Sequence, residues 1–185
     1  MPHTLNIDGV SESLFQLQML IHSSKSFCAK HQISHGNNSN AEFDWDYYFG
    51  WLKSSICEKL IQSSITLRIM QDILLADDTQ EPTDLQRYQT DAISGIQIGT
   101  VHEGSFKLTL RETCNKIIHA TDTQLDWHED VDYQWWTGNI WLFGSNHGSE
   151  WKLELNIEAF AIAANRYVDR VSDGVDWYHL YKYDT

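Results

Sequence analysis

One uninterrupted apolar stripe limits the folds open to this chain more than any other feature. Trp45, Tyr48, Phe49, Leu52, Ile56, Leu60, Ser63, Leu67, Met70 and Leu74 recur at steps of three or four residues, the spacing that gathers side chains on one face of an α-helix. A helix carrying that stripe is about 45 Å long at 1.5 Å per residue, long enough to be the spine of a bundle. Its apolar side must be covered by other elements. Asp44 and Asp46 stand where a helix N-terminus favours negative charge.

The elements that could cover it follow from the same spacing rule. Between Ser11 and Gln32, the residues Leu14, Leu17, Ile21 and Cys28, with Leu20 and Phe27 alongside, predict a first helix. The polar segment SHGNNSN ends it, and Ser39 with Glu42 makes a capping box that restarts a helix. ADDTQEPTD, with Pro82 and its acidic neighbours, reads as a solvent loop. Ile96, Ile98 and Val101 among glycines suggest a short extended segment between Ile93 and Val101. Thr109 and Glu112 form a second capping signature, which places a third helix from Leu110 to Ala120 or Thr121. WWTGNIWLF, a GSNHGS turn and WKLELNI alternate as a β-hairpin over about residues 135–157. Phe160, Ala163, Ala164, Tyr167 and Val171 then predict a final helix, followed by the aromatic stretch DWYHLYKYDT.

Composition narrows the function classes. Thirteen Lys and Arg oppose twenty-six Asp and Glu in 185 residues, a formal net charge of −13. Such a field repels nucleic acid at long range, and no linear basic patch opposes it; Lys107, Arg111 and Lys116 are the nearest approach. Hydrophobic residues at 42%, with eight Trp, eight Tyr and seven Phe, argue for a folded core and against an acidic disordered tail. Cys28, Cys57 and Cys114 contain no C-x-x-C pair and are odd in number, which fits a reducing cytosol better than a disulfide framework. Neither a signal-peptide pattern nor an apolar run long enough for a membrane span is present, so a cytoplasmic protein with no membrane partner is expected.

The stretch RETCNKIIHA, residues 111–120, carries the candidate chemistry. On an ideal helix Arg111, Asn115 and His119 fall within about 80° of arc, beside an apolar face of Leu110, Cys114, Ile117 and Ile118. Such a row suits metal-independent RNA cleavage. His119, as a neutral imidazole, would take the proton of a ribose 2′-OH, Arg111 would clamp the phosphate, and Asn115 would position it. The competing interpretation is structural: Arg111 pairs with an acid on the long helix, and the other two satisfy local partners. His119, Asp122, His128, Glu129 and Asp130 lack tight ligand spacing, so no metal is expected. No glycine-rich phosphate loop is present, and no cofactor is expected. The Trp135, Trp136, Trp141 and Trp151 cluster suits base or sugar stacking by type, but hairpin packing accounts for it more simply.

Cys114 to Ala120, C-N-K-I-I-H-A, resembles the R-N-x-x-x-H helix of the HEPN superfamily, matching it at Asn115 and His119. The phrase L-R-E-x-C-N-K-I-I-H-A, with the hairpin and final helix, is also similar to small bacterial proteins of unassigned function. The HEPN resemblance implies a small helical bundle that forms a homodimer, with Arg and His of both copies in a shared RNA-cleaving cleft. Catalytically silent members serve as interaction modules, some near defence or toxin systems. Cys114 occupies the family's arginine position and cannot supply a forked cation; the nearest arginine, Arg111, lies one helical turn earlier.

Together these readings predict a single domain over 1–185: mainly α (α+β), a HEPN-like helical bundle with a C-terminal β-hairpin before the last helix. The expected function is a cytosolic dimerisation or interaction module linked to a bacterial defence or toxin–antitoxin system, with a protein partner and with the polar row at or near the dimer interface. The alternative is a metal-independent endoribonuclease using His119, Arg111 and Asn115, with RNA as partner.

Overall fold

A computed structural model describes residues 6–36, 43–76, 81–146 and 148–175. Among these residues, five helices and one four-stranded antiparallel sheet make up the fold. In chain order they are α1 (Ile7–His31), α2 (Trp45–Ala76), α3 (Pro82–Ala92), β1 (Gly99–Glu103), α4 (Leu110–Ile118), β2 (Asp122–Glu129), β3 (Gln134–Asn146), β4 (Ser149–Asn156) and α5 (Ile157–Gly174). The strand order is β1-β4-β3-β2.

The mainly helical HEPN-like bundle with a C-terminal hairpin is therefore corrected to an α+β fold. Its strands come from the middle of the chain, residues 99–156, and the segment expected as an embellishment supplies the two inner strands of the sheet. The physical reason lies in β2. DTQLDWHE holds only two large apolar side chains, Leu125 and Trp127, which their i,i+2 spacing puts on one face; they are too few to mark a strand, and the segment becomes one by pairing along β3. A second correction concerns the Pro82 segment, read as a loop: α3 begins there, with proline at the first helical position, where its missing N–H costs nothing. The Ser39–Glu42 capping box and the aromatic stretch 176–185 lie outside the described residues.

The long stripe does form the spine. Trp45, Tyr48, Leu52, Ile56, Leu60, Ser63, Leu67, Met70 and Leu74 are buried along α2, with Phe49 partly buried. Against them pack Leu14, Leu17 and Cys28 of α1, and Leu110, Cys114 and Ile117 of α4. The sheet gives the core Trp136, Ile140 and Leu142 from β3 and Trp151, Leu153 and Leu155 from β4, each at most 4% exposed. Phe160, Ala163, Ala164 and Tyr167 of α5 complete it. Caps come from side chains: Asn6 accepts from the Gly9 N–H (2.9 Å), Thr109 from Glu112 (3.1 Å) and Asn156 from Ala159 (2.7 Å). Among the described residues no helix is long and apolar enough to cross a membrane.

The inner strand β3 outruns its neighbour. Pairing with β4 stops at Asn139, opposite Asn156, and leaves the N–H groups of Gln134 and Trp136 without a strand partner on that side. The end of α1 supplies acceptors: Ile33 O takes the Gln134 N–H (2.8 Å), and the buried Ser24 hydroxyl takes that of Trp136 (3.0 Å). The same hydroxyl lies 3.2 Å from the Tyr48 hydroxyl, so one serine ties α1, α2 and β3 together. Gly138, at φ 93°, lets α1 press on β3; an added Cβ there would stand 3.0 Å from Ile21 Cγ2. Gly138→Ala is expected to cost about 1–3 kcal/mol through positive φ and this contact, read as a lower urea midpoint with an unchanged slope.

Candidate functional site

Helix α4 links opposite edges of the sheet, since β1 precedes it and β2 follows it. The sequence RETCNKIIHA is built into that crossing almost residue by residue. Thr109 caps the helix, and its carbonyl accepts from the Thr113 hydroxyl (2.8 Å). The Glu112 carboxylate does not turn back to the cap as a full capping box requires. One oxygen takes the Lys116 ammonium (3.3 Å) and the other takes the Asn115 amide (3.1 Å). Lys116 is only 8% exposed, with its ammonium 4.2 Å from the centre of the Phe106 ring and 4.5 Å from that of Trp151. Two aromatic faces and one carboxylate thus replace its water.

The three predicted site residues do not converge. Arg111 Nη2 donates to Asp72 Oδ1 of α2 at 2.6 Å, and Nη1 approaches Gln71 Oε1 at 3.5 Å. Asn115 spends its amide on Glu112 of its own helix. The helix stops at Ile118, so His119 is the residue after it, with φ −102° and ψ 9°, its N–H bonded to Asn115 O (2.9 Å) and its imidazole exposed. The i,i+4 spacing of Glu112 and Lys116 was a visible signal for one half of this joint. Asp72 and Gln71 were not legible, because nothing in local spacing says which part of α2 a distant helix will meet.

Behind α4, Cys114 is fully enclosed, and burial pushes its thiol up from 9.0 to about 12. Burial likewise raises the Tyr48 and Tyr167 hydroxyls. Such a thiol is inert as a nucleophile.

Two further surfaces surround the joint. A cleft of about 230 Å³ opens between the ends of β1, β3 and β4, walled by Glu103, Thr121, Phe143, Ser145, Glu150 and Lys152. None of Arg111, Asn115 and His119 lines it. The second is the side of the sheet facing away from the helices, where alternation places Trp141 and Phe143 of β3 and Lys152 and Glu154 of β4. Lys152 Nζ lies 4.5 Å from the Trp141 ring and 5.5 Å from that of Phe143. His102 lies 4.8 Å from Trp141, ring to ring, and 3.0 Å from Glu154 Oε2. Glu154 Oε1 accepts from Asn139, whose own oxygen accepts from Asn156 (both 3.1 Å). Among the described residues no group of three or more His, Cys, Asp or Glu side chains is arranged to hold a metal ion.

Comparison with protein-family models, curated proteins and solved structures finds no match to this chain.

Arg111→Ala is expected to cost about 1–2 kcal/mol by leaving Asp72 without its closest cation, whereas His119→Ala stays within about 0.5 kcal/mol of the native chain; paired denaturant titrations measure both. The raised thiol and phenols set a second expectation. They remain neutral when folded but ionise in the unfolded chain, so their contribution is complete below pH 9, the thiol's ordinary value, and is lost as pH rises toward 12. The urea midpoint should fall across that alkaline range, and at neutral pH an alkylating reagent should modify half-buried Cys57 well before Cys28 or Cys114.

Proposed function

We propose that the chain is a non-catalytic interaction module, which engages a protein partner through the open aromatic side of its sheet. The observation that carries this reading is the arrangement around Trp141. A large ring on an inner strand is only partly buried, flanked by Lys152, His102 and Phe143 and underpinned by the Glu154–Asn139–Asn156 hydrogen bonds. Held aromatic groups with a polar border are what binding surfaces concentrate their affinity in. The row on α4 supports the same conclusion from the other side, since Arg111 and Asn115 already have partners within the fold. The similarity of Cys114–Ala120 to the HEPN helix rests on Asn115 and His119 and adds no further residue to a site.

The exposed His119 imidazole keeps the endoribonuclease as the second reading. One pair of experiments separates them. RNA incubated with the full chain in excess chelator should stay intact; fragments with cyclic phosphate ends that vanish with His119→Ala would decide for the enzyme. With the chain as bait in an extract of its native cells, Trp141→Thr should lose a specific partner that His119→Ala retains. A partner held equally by both variants would remove the sheet surface from the proposal.

A further inference from the structure

Helix α2 carries a second apolar seam on its solvent side. Tyr47, Trp51, Ile61, Ile65 and Leu75 are 72%, 48%, 43%, 42% and 57% exposed. At 100° per residue the first four lie within about 80° of arc, opposite the buried stripe. Between and beyond them, Ser54, Glu58, Arg68 and Asp72 continue the same line, so that 51, 54, 58, 61, 65, 68, 72 and 75 alternate steps of three and four. That is the spacing of a coiled-coil seam, here with apolar side chains at four of its eight positions.

The sequence of the seam identifies the partner. Laid antiparallel on a copy of itself, with the two-fold axis passing Ser63, Trp51 meets Leu75, Ile61 meets Ile65, Glu58 meets Arg68, and Ser54 meets Asp72. Every apolar residue in this span meets an apolar one, every charge in it meets its opposite or a hydroxyl, and each pairing occurs twice, as an isologous contact requires. The charges agree with this arrangement. Glu58 has no hydrogen bond or ion pair among the described residues. Asp72 is held closely by Arg111 (2.6 Å) and more loosely by Arg68 (3.6 Å), whose side chain, 20% exposed and 3.4 Å from Gln71 Oε1, would turn outward to reach a second carboxylate. From Trp51 to Leu75 the seam runs about 36 Å.

We infer that the chain forms an antiparallel homodimer along the outer seam of α2, with paired Ile61 and Ile65 at its centre and two Glu58–Arg68 ion pairs fixing its register. Arg111 of α4 reaches this seam at Asp72, whereas the sequence suggested an interface along the polar row of α4 itself. The inference does not depend on the sheet's binding role: losing one surface leaves the other intact.

Sedimentation equilibrium of the full chain, from about 1 µM to about 1 mM, should show the mass rising from one chain to two. Ile65→Glu should weaken the association by about thirtyfold or more, with the thermal melt at low concentration unchanged. Glu58→Arg and Arg68→Glu should each weaken it by about tenfold, and mixing these two variants should restore it, because the hybrid again joins opposite charges at both pairs. A parallel pairing sets 58 against 58 and 68 against 68, so each single variant would keep like charges opposed and show no tenfold loss, which distinguishes it from the antiparallel dimer. A single-chain mass throughout the range would overturn the inference, as would a dimer indifferent to Ile65→Glu and Glu58→Arg, or a mixture no tighter than either variant alone.

Discussion

The fold depends on the burial of one ammonium group. Lys116 must lie inside because α4 crosses from one edge of the sheet to the other and is covered on both sides, by α2 and by the Phe106–Trp151 corner. An unpaired ammonium there would cost several kcal/mol after relaxation. Three features offset that cost together: the Glu112 carboxylate and two ring faces, from the β1–α4 segment and from β4. Glu112 is fixed in turn, its N–H by Thr109 and its second oxygen by Asn115. Trp151 is fixed by Gly144, where a Cβ would fall 2.3 Å from the indole. A change at any of these positions is therefore transmitted to the seat of the whole helix.

The same network explains why the polar row is poorly suited to phosphate chemistry. Catalysis by groups of this kind needs a base and a cation poised around one reacting phosphate. Here the guanidinium is neutralised at 2.6 Å by Asp72, and the imidazole lies beyond the helix end on a different backbone geometry. Extracting Arg111 for a ligand would leave Asp72 with only the looser Arg68 contact (3.6 Å) in a chain that carries a net charge of −13. A phosphate would have to supply more than that pairing provides while approaching against the average field.

Legibility from sequence followed the range of the interactions. The α2 stripe, the Thr109 cap and the start of α4 at Leu110 could be read because they depend on neighbours within a few residues. Proline at the start of α3 was read as a stop, although the same residue is favoured at a first helical position. Strand β2 was missed because it carries only two large apolar residues, Leu125 and Trp127, and it becomes a strand by pairing along β3. The site followed the same division. Arg111 and Asn115 were correctly located on one helix, but their directions were decided by Asp72 and Glu112, one far away in the chain and the other three residues back.

Helix α2 is instructive because its two faces hide each other. A helix with one apolar side has a strong periodic signal, whereas a helix with apolar residues on opposite sides has opposing contributions that cancel, however regular each side is. The buried stripe dominates since it has aromatic and aliphatic residues at nearly every turn; the outer seam has Ser54, Glu58, Arg68 and Asp72 between its apolar positions. Burial within the fold is what separates the two sets, enclosing the first and leaving the second exposed among the described residues. The polar steps then carry information that an all-apolar seam would lack. A continuous row of leucines pairs in several registers, while charges placed symmetrically about Ser63 favour one register and one direction, at the expense of some affinity.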